Sequence, residues 1–414
     1  MSKILYLFIA LILSVTFWDL IFFDTIFNTK TSPFIAIIWA LFGLYWFRSK
    51  AGNIKIYNFK KYYKYFYWLI IGFLLSTIPA FLFWKQNFDI SLIAYRRLIF
   101  YIFLPMILYM QPSEKQIIKA LLYYTIVYII ISVTQAFTPF PILTSVIDKI
   151  TLGRGSFDFK DNFLGYLLPG VSMVLFFFYY KLQQFKELPN SKSFITVFIL
   201  FCFILVLQNR GALFFATLIF IYVLFKQMGP NKIFSFLVFC IIAIVVFNIF
   251  SKYWNSMVNE TLIQFNDPDY NRWKAYRYFV FEYSPNWLCT ILGNGFLSAK
   301  TQSGQFLQSM MNEGYYQSDI GLIGFWSMYG IIPIIVIYSI ILNILFHKKY
   351  PFYLKAISAH ILFVPISWGF DSCDIMILVI IIYIYAYYVE KNKMICIEKF
   401  KSIYSSSLKI VHKM

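Results

Sequence analysis

Long apolar runs separated by short polar stretches extend along the whole chain. Most runs are about 17 to 23 residues long, the length that a helix needs to cross roughly 30 Å of hydrocarbon. The pattern therefore predicts an all-α polytopic membrane protein, with residues 1–414 forming a single integral-membrane domain. About twelve transmembrane helices are predicted, at 4–23, 33–47, 66–84, 93–110, 117–137, 162–180, 193–209, 211–225, 233–250, 320–343, 356–370 and 373–389.

The composition agrees with this class. Hydrophobic residues make up 60% of the 414 positions and charged residues only 13%, whereas a soluble domain carries about 25% charged residues. The apolar run 4–23 is too long for a signal peptide and lacks a small-residue cleavage site, so we interpret it as the first transmembrane helix. We expect most of the 33 Tyr and 49 Phe side chains to face lipid or the interface.

The net charge of +18 is concentrated in alternate loops. Cytoplasmic loops of membrane proteins carry an excess of Lys and Arg, so these loops and both termini are predicted to be cytoplasmic. Topology then accounts for most of the positive charge, and nucleic acid is not expected as a partner. The basic segments are 48–64, 181–192, 226–232, 347–355 and the tail 390–414.

A positive charge, Arg210, also lies between two apolar runs in the stretch LQNRGALFF, residues 207–215. Two short passes that turn at 208–211 keep every basic segment on one side, whereas one long pass over 193–226 would move the later ones across. Arg210 is therefore predicted at the outer face, in a tight polar turn. Two interpretations are open: an anchor that reaches the headgroups, or a ligand for an anion.

Other polar residues fall on the same predicted outer face, with mixed charges that topology does not explain. The longest segment, 251–319, is predicted to be an extracytoplasmic loop. Arg96 and Arg97 are expected about one turn inside the outer boundary, as anchors or as ligands. The remaining outer-face candidates are Arg154, Asn162, Arg272, Trp273, Lys274, Arg277, Glu282, Glu313 and Asp319.

Arginine-rich surfaces suit phosphate, because the guanidinium group is always charged and binds phosphate oxygens in bidentate fashion. The pyrophosphate of a polyprenyl-linked substrate is such an anion at headgroup level. The histidines (347, 360 and 412) form no cluster with cysteine, so neither a zinc site nor any other cofactor is expected. Cys289 and Cys373 both fall on the predicted outer side; their pairing is open, but no disulfide framework is indicated.

Four stretches on this face occur in a characteristic order. They are NRGALFF at 209–215, GRGSFDFKDNFLGYLLPG at 153–170, RWKAYRYFVFEYSPNWLCTILGNGF at 272–296 and YYQSDIGLIGFWSMYGIIP at 315–333. Together with the span layout over about residues 90–345, they resemble the O-antigen polymerase and ligase superfamily of bacterial membrane enzymes. The resemblance implies a glycosyltransferase fold of the C type, metal-independent, with inversion at the anomeric carbon. The stretch MMNEGYYQSD at 310–319 lacks the histidine that ligases carry there, which favours the polymerase branch.

The resemblance implies an enzyme that joins oligosaccharide repeat units carried on undecaprenyl pyrophosphate, at the outer face of the bacterial cytoplasmic membrane. The product would be O-antigen, capsule or exopolysaccharide. A chain-length regulator and a flippase are the protein partners that it suggests, besides membrane lipid. In this hypothesis Arg210, with Arg272 or Arg277, binds the pyrophosphate, and Asp319, Glu313 or Glu282 assists the attacking hydroxyl. Substrate contacts are assigned to Arg97, Arg154, Asn162, Trp273, Lys274, Glu282 and Glu313.

Several alternatives remain open. An O-antigen ligase has the same fold, a lipid-linked oligosaccharide flippase or other transporter has a similar layout, and a structural membrane component without chemistry is a third possibility. Asp319 is either a proton acceptor or the N-cap of a helix beginning at Ile320. The glycines of LGNGF (292–296) either let backbone amides approach an anion or form a plain turn. On a regular helix Arg272 and Arg277 would point about 140° apart, so only one is expected to touch phosphate.

Overall fold

The computed structural model describes residues 1–16, 20, 31–50, 57–137, 169–207, 210–227, 259, 262, 266–267, 270–363 and 372–411. Within these ranges the regular structure is helical, which confirms the all-α prediction. Short 3₁₀ segments lie at Lys60–Tyr62, Tyr95–Ile102 and Gln317–Ile320. The α-helices are α1 (Lys3–Ser14), α2 (Ser32–Lys50), α3 (Tyr63–Leu82), α4 (Phe88–Ala94), α5 (Phe103–Met110), α6 (Glu114–Phe137), α7 (Val171–Glu187), α8 (Ser191–Val206), α9 (Arg210–Gln227), α10 (Asn271–Phe281), α11 (Trp287–Leu292), α12 (Gln302–Asn312), α13 (Leu322–Tyr329), α14 (Ile331–Phe346), α15 (Phe352–Phe363) and α16 (Ser372–Val411).

Four helical stretches are long and apolar enough to cross a membrane: Lys60–Leu82, Phe88–Met110, Glu114–Gln135 and Cys373–Ile395. Six further apolar helices are shorter, with 10–17 residues each over the part whose side chains the structure describes. The structure is therefore consistent with a membrane protein. About twelve complete passes are not established, and the predicted helix 233–250 lies outside the described residues.

The first predicted transmembrane helix, 4–23, corresponds to a shorter helix in the structure. Helix α1 begins where the Ser2 side chain accepts a hydrogen bond from the amide of Leu5. At its other end the Ser14 hydroxyl donates to the carbonyl of Leu11 at 2.7 Å, and Thr16 has a left-handed φ of 48°. Hydroxyl side chains that bond to nearby backbone in this way compete with continued helix, and α1 ends at Ser14.

The centre of the bundle is built largely from aromatic side chains. Helix α7 packs against α6, α8 and α15, and α16 packs against α1, α5 and α7. Many tyrosines do not face lipid or the interface but fill this interior, where their rings bury large apolar areas. Fully buried tyrosines include Tyr6, Tyr101, Tyr124, Tyr128, Tyr179, Tyr353 and Tyr383.

The helix ends that adjoin the basic segments meet at one end of the bundle, which we call the lysine-rich end. The hydroxyls of Tyr353 and Tyr388 each donate to the carboxylate of Glu114 at 2.8 Å. These bonds join the starts of α6 and α15 to α16. The side chain of Gln227 at the end of α9 donates to the carbonyl of Lys186 near the end of α7.

A second set of contacts brings the region before α3 and the middle of α16 to this same end. The carboxylate of Glu390 accepts from Lys61 at 3.1 Å, from Lys393 at 3.2 Å and from the Tyr62 hydroxyl at 3.0 Å. The described parts of the predicted cytoplasmic segments therefore share one end, as their alternation along the chain predicts. That this end faces the cytoplasm stays a prediction from the positive-inside rule.

Two helices, rather than one long one, flank residues 207–210, as predicted. Helices α8 and α9 pack together, with the rings of Phe201 and Phe220 4.7 Å apart, and Phe178 of α7 contacts both rings. Because Gln227 lies at the lysine-rich end, the first residue of α9, Arg210, lies at the opposite end. The helices are about 24 and 27 Å long at 1.5 Å per residue.

The predicted helix 320–343 is divided in the structure into α13 and α14, which meet at Gly330. Gly330 has φ 75° and ψ −173°, a conformation essentially limited to glycine. Pro333 lacks an amide hydrogen, so an unbroken helix would lack a hydrogen bond at this point. The carbonyls of Ser327 and Met328 instead accept from the amides of Asn294 and Gly295, both at 2.8 Å.

The predicted extracytoplasmic loop 251–319 is folded over its described part. Residues 270–320, which we call the 270–320 subdomain, contain α10, α11 and α12 around a small core of their own. That core joins the last turn of α3, at the end of the bundle opposite the lysine-rich end. Its buried members are Ala80, Ala275, Phe279, Tyr283, Leu297 and Leu307.

One buried side chain joins this subdomain to the loop after α3. The Gln86 side chain is fully buried; its Oε1 accepts from the amide of Ser298 at 2.7 Å, and its Nε2 donates to the carbonyl of Phe296 at 3.0 Å and to Ser91 Oγ at 2.9 Å. Nearby, Trp84 Nε1 donates to Asn294 Oδ1 at 2.8 Å. These bonds hold the LGNGF turn against the bundle.

Replacing Gln86 with leucine is expected to loosen the 270–320 subdomain. The amide of Ser298 and the carbonyl of Phe296 would lose their partner, at a cost of about 1–3 kcal/mol for a buried polar group left unpaired. Thermal unfolding in detergent should show a lower midpoint, and limited proteolysis should cut faster within 270–320. Gln308→Leu, at an exposed position of α12, is the matched control. Equal behaviour of the two variants would contradict this role for Gln86.

Candidate functional site

Helix α10 presents one face to the core of its subdomain and the other to the outside. Ala275 and Phe279, at i and i+4, are fully buried. Trp273 and Arg277, also four residues apart, are exposed on the opposite side, about 160–200° around the helix axis from Ala275. The helical spacing therefore places an exposed cation beside an exposed indole, a pair that suits an anionic sugar-containing ligand.

The other two cations of α10 have different surroundings. Arg272 is exposed, and its guanidinium carbon lies 6.0 Å from the centre of the Tyr270 ring, within cation–π range. Lys274 is half-buried and has an interaction partner. Helix α10 is continuous from Asn271 to Phe281, so Arg272 and Arg277 point about 140° apart, as predicted. A single phosphate group on one face would reach only one of them.

The three candidate carboxylates are spread along the subdomain. Glu282 follows the last residue of α10 and is exposed. The pKa of Tyr278 is raised by burial, then by the negative charge of Glu282, and then by Tyr315. Glu313 is exposed beyond the end of α12, and Gly314 next to it lies against the side chain of Asn271, at the start of α10. Glu313 is thus near the Arg272 end of α10, whereas Glu282 lies at its other end.

Asp319 belongs to the 3₁₀ segment Gln317–Ile320, and its side chain lies outside the described part. The alternative that Asp319 caps a helix beginning at Ile320 is wrong. Helix α13 begins at Leu322 with Gly321 as its N-cap, because Gly321 takes the positive φ of 51° that the turn requires.

Arg97 lies deeper in the bundle than predicted, because the helical stretch begins at Phe88 rather than at residue 93. Nine residues of α-helix and 3₁₀-helix place it about 15 Å from that start. The neighbouring Tyr95 hydroxyl is 2.6 Å from Ser76 Oγ, near the middle of α3. Arg97 is half-buried.

The remaining candidates lie at the end of the bundle opposite the lysine-rich end or outside the described residues. Arg210 is the first residue of α9, at the end of the bundle that also holds the 270–320 subdomain; its side chain lies outside the described part. Arg154 and Asn162 lie outside the described residues. In the described ranges no three His, Cys, Asp or Glu side chains come together, so this part of the chain offers no metal-ligand set.

The LGNGF stretch forms a tight turn rather than an open anion cradle. The amides of Asn294 and Gly295 donate hydrogen bonds to the carbonyls of Ser327 and Met328. The amide of Gly293 donates to the carbonyl of Cys289. A Cβ on Gly293 would lie 2.4 Å from the nitrogen of Gly330. The glycines allow two backbones to meet, so of the two interpretations the structure supports the turn.

Sequence reasoning missed Tyr329 and Gly330, although Gly330 lies against the LGNGF turn. The signal was a glycine three residues before Pro333 inside an apolar run, which is a typical break in a transmembrane helix. Tyr329 packs against Phe73 at 5.1 Å and Tyr95 at 5.6 Å between ring centres. The break therefore places the Tyr329 ring against α3 and the 3₁₀ segment Tyr95–Ile102.

Cys289 and Cys373 are both thiols, so the pairing that the sequence left open does not occur. Burial raises the pKa of the Cys289 thiol, and its side chain is fully buried. Because the thiolate is the reactive form, Cys289 in a variant without other cysteines should resist maleimide at neutral pH until the protein is unfolded. Gln308→Cys in a cysteine-free background is the reactive control. Rapid labelling of folded Cys289 would contradict the buried position of α11.

Comparison with known proteins finds no match for this chain among protein-family models, curated proteins or solved structures.

Proposed function

We propose that this protein is a polymerase that joins lipid-linked oligosaccharide repeat units, with undecaprenyl pyrophosphate as the lipid carrier. The observation that carries the proposal is the position of the arginines, at the end of the bundle opposite the lysine-rich end. Lysines cluster at one end, whereas the backbone of Arg210 and the exposed Arg272 and Arg277 lie at the other. Guanidinium groups suit a pyrophosphate at headgroup level.

The proposed reaction is a glycosyl transfer without a metal ion. Arg210 and one arginine of α10 bind the pyrophosphate of the growing glycan. A hydroxyl of the incoming repeat unit attacks the anomeric carbon, the bond from that carbon to the pyrophosphate oxygen breaks, and the configuration inverts. The hydroxyl proton passes to a carboxylate, for which Asp319, Glu313 and Glu282 are the candidates.

The exposed side of α10 would bind the sugar chain beside the phosphates. Trp273 offers an aromatic surface for stacking, and Lys274 lies on the same half of the helix as Arg277. Arg97, Arg154 and Asn162 complete the proposed substrate contacts. The protein would act at the outer face of a bacterial cytoplasmic membrane, together with a flippase and a chain-length regulator, and the O-antigen ligase remains the alternative within the same fold.

A transporter of lipid-linked oligosaccharide is the second candidate, and the break at Gly330 favours it. Transporters bind substrate where a transmembrane helix is interrupted, through backbone groups that the break releases. Here the carbonyls of Ser327 and Met328 are already bonded to Asn294 and Gly295. The released groups thus hold the 270–320 subdomain, which weakens this alternative.

Deleting the gene in its bacterial host separates these functions through the surface polysaccharide. Loss of a polymerase should leave glycans limited to one repeat unit. Loss of a ligase should leave long chains on the lipid carrier with none attached to the surface, and loss of a flippase should trap single units inside the cell. Unchanged polysaccharide would overturn all three assignments.

A further inference from the structure

A cavity of about 560 Å³ lies at the lysine-rich end, away from every residue of the proposed active site. It is formed by the last turn of α14, the turn after it, and α16. Its volume is within the range of about 300–1,000 Å³ typical of small-ligand sites. The lining side chains include Asn343, His347, Lys349, Tyr350, Asn392 and Lys393.

The charges around this cavity are predominantly positive. Among the described residues Glu390 is the carboxylate that adjoins it, and Lys61 and Lys393 both contact its Oε1. Lys349 is exposed, and no ion pair with it is present in the described ranges. Glu390 thus pairs with Lys61 and Lys393, and the lysines that line the cavity are Lys349 and Lys393, so an excess of positive charge remains for an anion to neutralise.

Hydrogen-bond donors accompany the lysines. Asn343 Oδ1 accepts from the Tyr350 hydroxyl at 3.4 Å, and that bond does not use the two donors on Asn343 Nδ2. The rings of Tyr350 and Tyr385 pack 5.6 Å apart and form an aromatic wall. The amide and ammonium groups can donate to phosphate oxygens, and the two aromatic rings can pack against an organic group attached to the phosphate.

An exposed apolar stripe runs along α14 and ends at Phe346, next in sequence to the cavity-lining His347. Ile331, Ile335, Leu342 and Phe346 are exposed, by 38%, 59%, 39% and 81% of their surfaces. Their spacing places all four within about 60° around the helix axis. The stripe covers most of the helix, about 24 Å at 1.5 Å per residue, which is enough to accompany an acyl chain.

We propose that this cavity binds the phosphate headgroup of an anionic phospholipid, whose acyl chain lies along the stripe of α14. A soluble phosphate compound would satisfy the lysines but would leave the stripe uncovered. Basic pockets between membrane helices are suited to anionic headgroups, with about 1 kcal/mol contributed by each Lys or Arg near the surface.

Native mass spectrometry of the full chain, mixed with phosphatidylglycerol or phosphatidylcholine, tests the proposal. The wild type should retain phosphatidylglycerol more strongly than phosphatidylcholine. Lys349→Gln should weaken phosphatidylglycerol binding about fivefold, and Lys349→Gln with Lys393→Gln about thirtyfold. Lys349→Arg should bind phosphatidylglycerol as the wild type does. Lys348→Gln changes the adjacent exposed lysine, which is outside the cavity lining, and should leave binding unchanged.

Three outcomes would overturn the proposal. Equal retention of the two lipids would show that the cavity does not recognise the headgroup charge. Equal losses from Lys348→Gln and Lys349→Gln would assign the binding to general surface charge. Displacement of phosphatidylglycerol by millimolar inorganic phosphate would assign the site to a soluble phosphate compound instead of a lipid.

Discussion

Replacing Arg210 with lysine is expected to lower repeat-unit transfer by about 10²–10³-fold, the usual effect of removing one preorganised donor to a developing negative charge. Lysine keeps the charge but loses the planar fork that binds two phosphate oxygens at once. In a deletion strain complemented with this variant, the surface glycan should shift to single repeat units. Gel analysis of the polysaccharide, with protein level checked by immunoblot, measures the effect.

Arg48→Lys is the matched control for that experiment. Arg48 is exposed near the end of α2, in a basic segment assigned to topology. Arg48→Lys should leave the length of the surface glycan unaltered, because lysine and arginine direct membrane topology equally well. Normal chain length with Arg210→Lys would refute bidentate phosphate binding by Arg210 and leave it the role of an interfacial anchor.

Replacing Gly293 with alanine is expected to destabilise the fold by about 3 kcal/mol or more. Gly293 has φ 84° and ψ 163°, which side-chain-bearing residues rarely adopt. Its new Cβ would lie 2.4 Å from the nitrogen of Gly330 and from the carbonyl oxygen of Met328. Because both neighbours are backbone atoms, neither can rotate away. Fluorescence-monitored unfolding in detergent should show a lower midpoint, and size-exclusion chromatography should show less monodisperse protein.

Gly72→Ala in α3 provides the comparison. Gly72 is also buried, but it lies within a helix, where alanine is favoured over glycine by up to about 1 kcal/mol. Its new Cβ would meet the Pro333 ring, a side chain, at 2.7 Å. The loss of stability should therefore be smaller than at Gly293. If Gly293→Ala unfolds at the wild-type midpoint, the result would contradict the close contact between the LGNGF turn and the Gly330 break.

The positions of apolar helices followed from the sequence with good accuracy where the apolar run was uninterrupted. The predicted helix 33–47 lies within α2 and 211–225 lies within α9, and 117–137 differs from α6 only at its start. The free energy gained by burying apolar surface is roughly proportional to the buried area and does not depend on the direction or identity of the partner. The length of an apolar run therefore predicts these helices. Alternation of the basic segments likewise predicted which helix ends share the lysine-rich end.

Prediction failed where a helix end or break depends on a distant partner. The α13–α14 break is stabilised by amides of Asn294 and Gly295, more than thirty residues away in sequence. The depth of Arg97 follows from an earlier helix start and from a 3₁₀ segment that a hydrophobic pattern does not distinguish from α-helix. For the candidate site, helical spacing correctly placed Arg272 and Arg277 apart, whereas the position of Glu313 near α10 required the fold.

The sequence by itself determined the all-helical class, the apolar segments and the separation of basic from mixed-charge loops, because these depend on local composition. Only the tertiary structure decided how the 270–320 subdomain docks, since Gln86, Trp84 and the two glycines 293 and 330 act through contacts between distant segments. Likewise, Lys349 and Lys393, which the sequence explained as topology signals, line one cavity only because α14 ends beside the middle of α16. Such convergence depends on packing, which no single stretch of sequence specifies.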